Sequence, residues 1–202
     1  MKLAVLIGLG ALAASQASAT LVGNDLIARE YSSDGATDVL VFDFAIAQGG
    51  TLTAFDTYSQ TAALAPGPAS QGQKFIGYVL EPDGLGYLKV VYETIPIIVG
   101  AVGVNSFPVS PYNFTSGDVI AHYGNGIPFD NFTGTSSFDY PANPPPSVGD
   151  VLAYPGTYGR PSARVYSIAV TVVPELTTMI AGALLLLPFG ASTLRVLRRR
   201  TA

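Results

Sequence analysis

His122 is the only histidine in this chain of 202 residues, so any histidine-based catalysis must use it. The residues around it predict a strand at positions 118–123, on which His122 shares a face with Asp118 and Ile120. Asp118 is two positions away along that strand, which is too splayed for a pair in which the aspartate orients the base. The chain has no cysteine nucleophile, and no Gly-x-Ser-x-Gly motif precedes the histidine. We therefore predict no catalytic residue and an ordinary histidine, exposed or hydrogen-bonded.

Acidic side chains offer a second kind of chemistry, because two carboxylates that flank a glycosidic bond can hydrolyse it. The separation of such a pair in space is not visible in a sequence. Its members would come from Asp43, Asp56, Glu93, Asp118 and Asp130. Acids on the solvent-facing sides of strands are the simpler interpretation. The sequence thus predicts a protein that is not an enzyme, and a glycoside hydrolase remains as an alternative.

Oxygen ligands for calcium could come from two acidic groups in the loops of the body. These groups are Asp34 with Asp38, and Asp130 with Asn131 and Asp139. Neither has the ligand spacing of an EF-hand. Zinc prefers nitrogen and sulfur ligands, which this chain nearly lacks. We predict no metal site and no cofactor, with calcium as the one ion that these loops would suit.

Aromatic side chains could form a carbohydrate-binding surface, on which flat rings stack against sugars and polar neighbours bond to the hydroxyls. The candidates are Tyr112, Phe114, Tyr123, Tyr140, Tyr154 and Tyr158. The chain has no tryptophan, which would offer the largest stacking surface. The alternative is that these rings pin long loops to the fold.

Alternation with period two predicts the strands that must position these side chains. The alternating sets are Leu40, Phe42, Phe44 and Ile46; Leu88, Val90 and Tyr92; and Tyr166, Ile168, Val170 and Val172. Further strands are predicted at residues 51–58, 74–81, 97–104, 118–123 and 148–154. Glycine and proline turns separate them, so we predict an all-β fold, a single jelly-roll-like β-sandwich over residues 20–172. Residues 107–158 alternate poorly and predict long loops over one end or face of the sandwich.

One local pattern occurs twice in the body. Gly117-Asp118 and Gly149-Asp150 each place a turn glycine and an aspartate before β-branched residues. Their surroundings differ, so we interpret them as the same turn used at two places rather than as a repeat unit.

The N-terminus has the layout of a secretory signal peptide over residues 1–19. Lys2 precedes an apolar segment, residues 3–14, and Ala17-Ser18-Ala19 supplies the small residues of a cleavage site. We predict a cut between Ala19 and Thr20. The apolar segment is short for a full span, which disfavours an uncleaved anchor.

The C-terminal 30 residues, 173–202, have a second membrane-directed layout. Val173-Pro174-Glu175 is followed by nineteen uncharged residues, 176–194. A helix of that length would cover about 28 Å, close to the hydrocarbon thickness of a bilayer. The basic residues that follow are Arg195, Arg198, Arg199 and Arg200. By the positive-inside rule they would hold the C-terminus in the cytoplasm, as in a transmembrane helix or an ordinary tail anchor.

This tail resembles the PEP-CTERM sorting signal of Gram-negative bacteria. Val173, Pro174 and Glu175 match the motif, Leu176 stands where a second proline is usual, and Thr177-Thr178, the apolar span and the arginines follow the pattern. The resemblance implies retention in the inner membrane, removal of the tail by an exosortase-type transpeptidase, and transfer to the cell surface or the exopolysaccharide matrix.

Without its two ends the chain is strongly acidic. Five of the ten basic residues lie in the ends, whereas all fourteen acids lie within residues 20–175, so this range carries a formal net charge of −9. Such a surface repels phosphate backbones, and we expect no nucleic-acid partner. The chain has no cysteine, so stability must come from a hydrophobic core. We expect an exported surface or matrix protein with a structural or interaction role; the alternatives are a carbohydrate-binding module and the glycoside hydrolase.

Overall fold

The computed structural model describes residues 18–32, 39–61, 69–131, 137–153, 160–162 and 164–175. This part of the chain is all-β, as predicted, and its strands pair only in antiparallel fashion. It contains no helix that is long and apolar enough to cross a membrane. Residues 1–17 and 176–202, and with them most of the predicted signal peptide and the predicted transmembrane helix, lie outside the described residues.

The strands are β1 (Thr20–Gly23), β2 (Val39–Ala45), β3 (Gly50–Ser59), β4 (Lys74–Pro82), β5 (Tyr87–Glu93), β6 (Ile97–Ile98), β7 (Gly103–Phe114), β8 (Val119–Gly124), β9 (Phe129–Asn131), β10 (Ser137–Pro141), β11 (Val151–Ala153), β12 (Arg160–Ser162), β13 (Arg164–Tyr166) and β14 (Ile168–Pro174). They form three sheets. The four-stranded sheet has the order β1-β14-β3-β7, and the eight-stranded sheet has the order β11-β5-β4-β8-β2-β10-β12, with β6 also paired to β4. A two-stranded sheet joins β9 and β13.

The inner core lies between the four-stranded and the eight-stranded sheet. Leu52, Phe55 and Val170 come from the first, and Val41, Phe75, Val79 and Ile120 come from the second. Residues of this kind alternate along each strand, so one face of each sheet is turned towards the other. The result is a β-sandwich-like arrangement with a continuous apolar interior.

A second apolar cluster covers the opposite, outer face of the eight-stranded sheet. Its buried members are Leu40, Phe42, Tyr78, Leu80, Leu88, Val90, Ala121, Ala142 and Leu152. Strands β10 and β11 lie near opposite edges of this sheet, and the chain that connects them contributes Ala142 to the cluster. The central strands therefore have apolar side chains packed on both faces.

The proline-rich connection between β10 and β11, residues 142–150, is tied to the sheet by hydrogen bonds. The Tyr78 hydroxyl donates to the Pro146 carbonyl oxygen at 3.0 Å, in a buried setting. Further along, the Gly149 amide donates to the Val90 carbonyl and the Val90 amide donates to the Asp150 carbonyl, both at 2.9 Å. We call residues 142–150 the proline segment.

A β-bulge in β2 interrupts the alternation that was predicted for this strand. Leu40 and Phe42 belong to the outer cluster, whereas Phe44 and Ile46 pack in the inner core. The register against β8 shifts between Phe42 and Phe44, so one extra residue changes the face to which the strand directs its side chains. The prediction that all four side chains share a face was wrong for this reason.

Strand β5 contains the same kind of irregularity. Leu88 and Val90 lie in the outer cluster, but Tyr92 packs on the inner core because the register with β4 shifts between Val79 and Leu80. In β13 and β14 the prediction is confirmed. Tyr166, Ile168, Val170 and Val172 all belong to the inner core.

The predicted long loops of residues 107–158 are largely replaced by strands. Most conspicuous is β7, twelve residues long, which lies at the edge of the four-stranded sheet. This strand contains Pro108 and Pro111, which made the sequence look like a loop because proline cannot donate a hydrogen bond between strands. Proline is tolerated mainly in edge strands, and β7 is one. The strand predicted at residues 97–104 was also wrong, since the chain turns between β6 and β7.

The two Gly-Asp turns are confirmed as one device. Asp118 Oδ2 accepts a hydrogen bond from the Thr115 amide at 2.9 Å, and Asp150 Oδ2 accepts one from the Ser147 amide at 2.9 Å. The intervening Gly117 and Gly149 have φ angles of 99° and 102°, a region that favours glycine. Each turn leads directly into a strand.

Candidate functional site

His122 forms a buried pair with Asp43, which lies 79 positions away in the sequence. His122 Nδ1 and Asp43 Oδ2 are 2.8 Å apart, and the two side chains are 1% and 0% exposed. Asp43 is the residue at the β2 bulge, and β8 holds His122 on the neighbouring strand. Val41, directly opposite His122, faces the inner core, and alternation from Val41 directs the Asp43 carboxylate to the same face.

Aromatic rings enclose this pair within the inner core. The rings of His122 and Tyr166 meet edge to face, with centroids 4.7 Å apart. The Tyr166 hydroxyl accepts a hydrogen bond from Arg164 Nη1 at 3.3 Å, and the Arg164 guanidinium stands 4.5 Å from the centre of the Phe129 ring. A polar and aromatic network thus runs from Asp43 towards the two-stranded sheet.

The burial of the pair decides what it can do. A base oriented by a carboxylate is the arrangement of many hydrolases, but such a base must reach a substrate proton. Neither side chain is accessible, so in this conformation the pair serves to join β2 and β8 inside the core. Sequence reasoning considered Asp118 as the neighbour of His122 and missed Asp43, because it placed Leu40 and Phe42 on the core face and therefore Asp43 on the solvent face.

The other candidate acids are mostly occupied by bonds within the protein. Asp118 closes the turn described above, and Asp56 Oδ2 accepts a hydrogen bond from the Thr171 hydroxyl at 2.7 Å. Asp130 pairs with Arg29 Nη1 at 3.0 Å and also accepts the Glu30 amide. Glu93, the remaining candidate, is exposed at the end of β5.

No group of three or more histidine or acidic side chains suited to a metal occurs within the described parts of the chain. Asp34 and Asp38 lie outside the described residues, as does the Asp139 side chain. The oxygens of Asp130 are engaged by Arg29 and the Glu30 amide, and Asn131 is exposed beside it. The expectation of no metal site, with calcium as the one ion that these loops would suit, stays a prediction.

The structure describes four of the six aromatic candidates, two on the four-stranded sheet and two on the eight-stranded sheet. Phe114 is 1% exposed in the inner core, so it cannot offer its ring to a ligand and has to be removed from the set. Tyr112 packs beside Tyr92, with centroids 5.1 Å apart, and burial raises the pKa of both hydroxyls. Tyr154 and Tyr158 lie outside the described residues.

Tyr123 and Tyr140 lie in one row across the outer face of the eight-stranded sheet. Tyr140 is opposite Leu40, Leu40 is opposite Tyr123, and Tyr123 is opposite Ile76. Two strand spacings separate the tyrosines, or about 10 Å. Beside Tyr123 and Ile76 opens a groove of about 460 Å³, which also contains Lys74, Pro96 and Asn125.

The two predicted processing points meet at one corner of the four-stranded sheet. Thr20, the first residue after the predicted signal-peptide cut, pairs with Val172. Val173 and Pro174 continue β14 beyond the predicted domain end at residue 172, and they pair with Thr51 and Gly50. Glu175 is exposed directly after the strand, and Ala19 precedes β1. Ala17 and the arginines Arg195, Arg198, Arg199 and Arg200 lie outside the described residues.

No family model, curated protein or solved structure matches the chain in the three comparisons made. The geometry above and the sequence patterns at the two ends therefore carry the functional argument.

Proposed function

We propose that this chain is an exported protein of the cell surface or extracellular matrix, sorted through its C-terminal signal. The observation that carries the proposal is the order of the tail: Val173-Pro174-Glu175, nineteen uncharged residues, then four arginines. A signal peptide brings the chain across the inner membrane, and the tail holds it there until an exosortase-type enzyme removes it. The body then has a structural or interaction role, in association with exopolysaccharide.

The compact part of the structure supports this division. One compact unit extends from Ala19 to Glu175, so it begins at the last residue before the predicted signal cut and ends with the sorting motif. The unit has two apolar clusters of its own, and the chain has no cysteine with which to form a disulfide. The jelly-roll connectivity of the sandwich stays a prediction.

Mass spectrometry of the mature protein tests the proposal directly. In cells that carry an exosortase-type enzyme, we expect a chain that begins at Thr20 and lacks most of residues 176–202. Replacing Arg195, Arg198, Arg199 and Arg200 with glutamine should disturb retention and reduce processing, because the basic stop is lost. Full-length chains that keep residues 176–202 in such cells would show that the tail is only an anchor.

A carbohydrate-binding module is the second candidate, and the row of Tyr123 and Tyr140 favours it. Both rings are half-buried on the same outer face, and the groove beside Tyr123 has Lys74 and Asn125 among its lining residues. Sugars bind where a ring face and hydrogen-bonding groups lie together. A glycan array probed with residues 20–175 should detect binding that Tyr123→Ala abolishes. Absence of binding to every neutral and acidic polysaccharide would exclude this candidate.

A further inference from the structure

The sorting motif overlaps the last strand of the folded body. Val173 and Pro174 are the final two residues of β14, and only Glu175 separates that strand from the predicted span at Leu176. One extended residue covers about 3.3 Å. If the span starts where the hydropathy places it, no linker presents the motif to an enzyme.

The pairing that fixes the sorting motif in the sheet weakens towards the C-terminal end of β14. Val172 is 5% exposed in the inner core, and β14 pairs there with β3 on one side and with β1 on the other. The pairing with β1 ends at Thr20 and Val172, whereas the pairing with β3 continues to Pro174 and Gly50. Val173 and Pro174 are only half-buried, and proline donates no backbone hydrogen bond. The strand can therefore fray as far as Val173, and Val172 fixes the limit.

We propose that the C-terminal end of β14 is a gate on processing: the enzyme reaches Val173-Pro174-Glu175 only when this end is released from β3. This inference rests on the proposed sorting function. In the processing step, a peptide bond on the tail side of the motif breaks. Its carbonyl carbon bonds to the enzyme nucleophile and then to an acceptor amine or water, and the departing amine takes a proton. The fold does not alter this chemistry; it limits the fraction of chains in which the bond is accessible.

Locking the strand end tests the gate. Thr51 and Val173 are directly opposite each other on neighbouring antiparallel strands, at a spacing that a disulfide can bridge. The natural chain has no cysteine, so this is the only disulfide that Thr51→Cys with Val173→Cys can form within one chain, and non-reducing electrophoresis separates it from a bond between chains. In full-length chains expressed with the processing enzyme, we expect the oxidised double variant to lose its tail at least tenfold more slowly than wild type. The controls are the single variants Thr51→Cys and Val173→Cys and the reduced double variant, which keeps both substitutions without the bond. The reduced double variant should be processed at the rate of Val173→Cys.

A substitution with the opposite effect covers the case in which Val173→Cys itself disturbs recognition. A Cβ atom at Gly50 would stand 2.8 Å from Val172 Cγ1 and 2.9 Å from the Val173 carbonyl oxygen, so Gly50→Ala pushes the strand end away. We expect severalfold faster processing. The matched control is Gly49→Ala, whose nearest contact is the Phe114 carbonyl oxygen at 3.2 Å. Its processing rate should stay close to that of wild type.

The outcomes separate this inference from the function on which it rests. If the locked chain is processed as fast as its single-cysteine controls, or if Gly50→Ala behaves as Gly49→Ala does, the gate is refuted while sorting stands. If wild-type chains keep their tail in cells that process other substrates, the sorting function itself fails. Resistance of each variant to a general protease confirms that the body is folded.

Discussion

The packing of Phe55 over Gly77 gives the sharpest test of how the two large sheets face each other. Gly77 lies on β4, opposite His122 on β8, and Phe55 comes from β3 in the other sheet. A Cβ atom on Gly77 would lie 2.6 Å from two atoms of the Phe55 ring and 2.8 Å from a third. Carbon atoms in contact are normally about 3.5–4.0 Å apart. In Gly77→Ala the ring must therefore retreat by about 1 Å in a filled core.

The expected cost follows from two opposing effects. Overpacking of this kind costs about 1–3 kcal/mol. Replacing glycine with alanine restricts the unfolded chain and returns about 0.4–1 kcal/mol. We expect Gly77→Ala to lower the free energy of unfolding by about 1–2 kcal/mol, with a fall in melting temperature of about 3–6 °C for a domain of this size. Urea unfolding of the Ala19–Glu175 unit, followed by circular dichroism, measures the change.

A double-mutant cycle identifies Phe55 as the cause. Phe55→Leu alone opens space and destabilises the core, but it should relieve the clash with Ala at position 77. The double variant should then cost at least about 1 kcal/mol less than the sum of the two single changes. A neutral or stabilising Gly77→Ala, or additive effects in the cycle, would refute the face-to-face packing of β3 on β4.

Three further predictions concern polar contacts within the body, each measured as a change in the free energy of unfolding. Tyr78→Phe should cost about 1–3 kcal/mol because the Pro146 carbonyl loses its bonded hydroxyl. Burial raises the pKa of Tyr78 in the folded state, so above about pH 10 this tyrosine loses its proton more readily in the unfolded chain. The stability of the wild type should therefore fall as pH rises above about 10. The Tyr78→Phe variant should lack the part of this fall that Tyr78 causes. Asp43→Asn should cost about 1–3 kcal/mol by weakening the bond to His122, and no loss would mean that the pair contributes little. Arg29→Lys should cost about 1–2 kcal/mol, because lysine cannot reproduce the separate hydrogen bonds of the guanidinium, and a wild-type value would contradict this.

Regular alternation made much of the fold predictable. Strand β3 was expected at residues 51–58 and is observed at Gly50–Ser59, and β4 was expected at residues 74–81 and is observed at Lys74–Pro82. Both strands have β-branched or aromatic residues between clear turn signals. The two Gly-Asp turns could also be recognised, because each depends on a glycine and an aspartate that bonds to an amide only three positions earlier.

Features that depend on distant residues were not predictable. The contact of Asp43 with His122 depends on which face of β2 meets the inner core: Leu40 and Phe42 face the outer cluster, so Val41 and Asp43 face inwards, and the sequence does not mark this choice. The edge position of β7 is a property of the whole sheet, so Pro108 and Pro111 were read as signs of a loop. Phe114 is buried in the inner core, which forms from strands distant in the sequence, so its burial could not be inferred from its neighbours.

The position of β14 has a consequence for the order in which the molecule can assemble. The chain is synthesised from its N-terminus. The strands under the proline segment all precede it in the sequence, and they are β2, β4, β5 and β8. The outer cluster can therefore form early. Strand β14 is the last to appear, yet it lies between β1 and β3. The four-stranded sheet therefore stays in two parts until residue 174 is available. The inner core can close only when almost the whole body has emerged and the apolar tail is next.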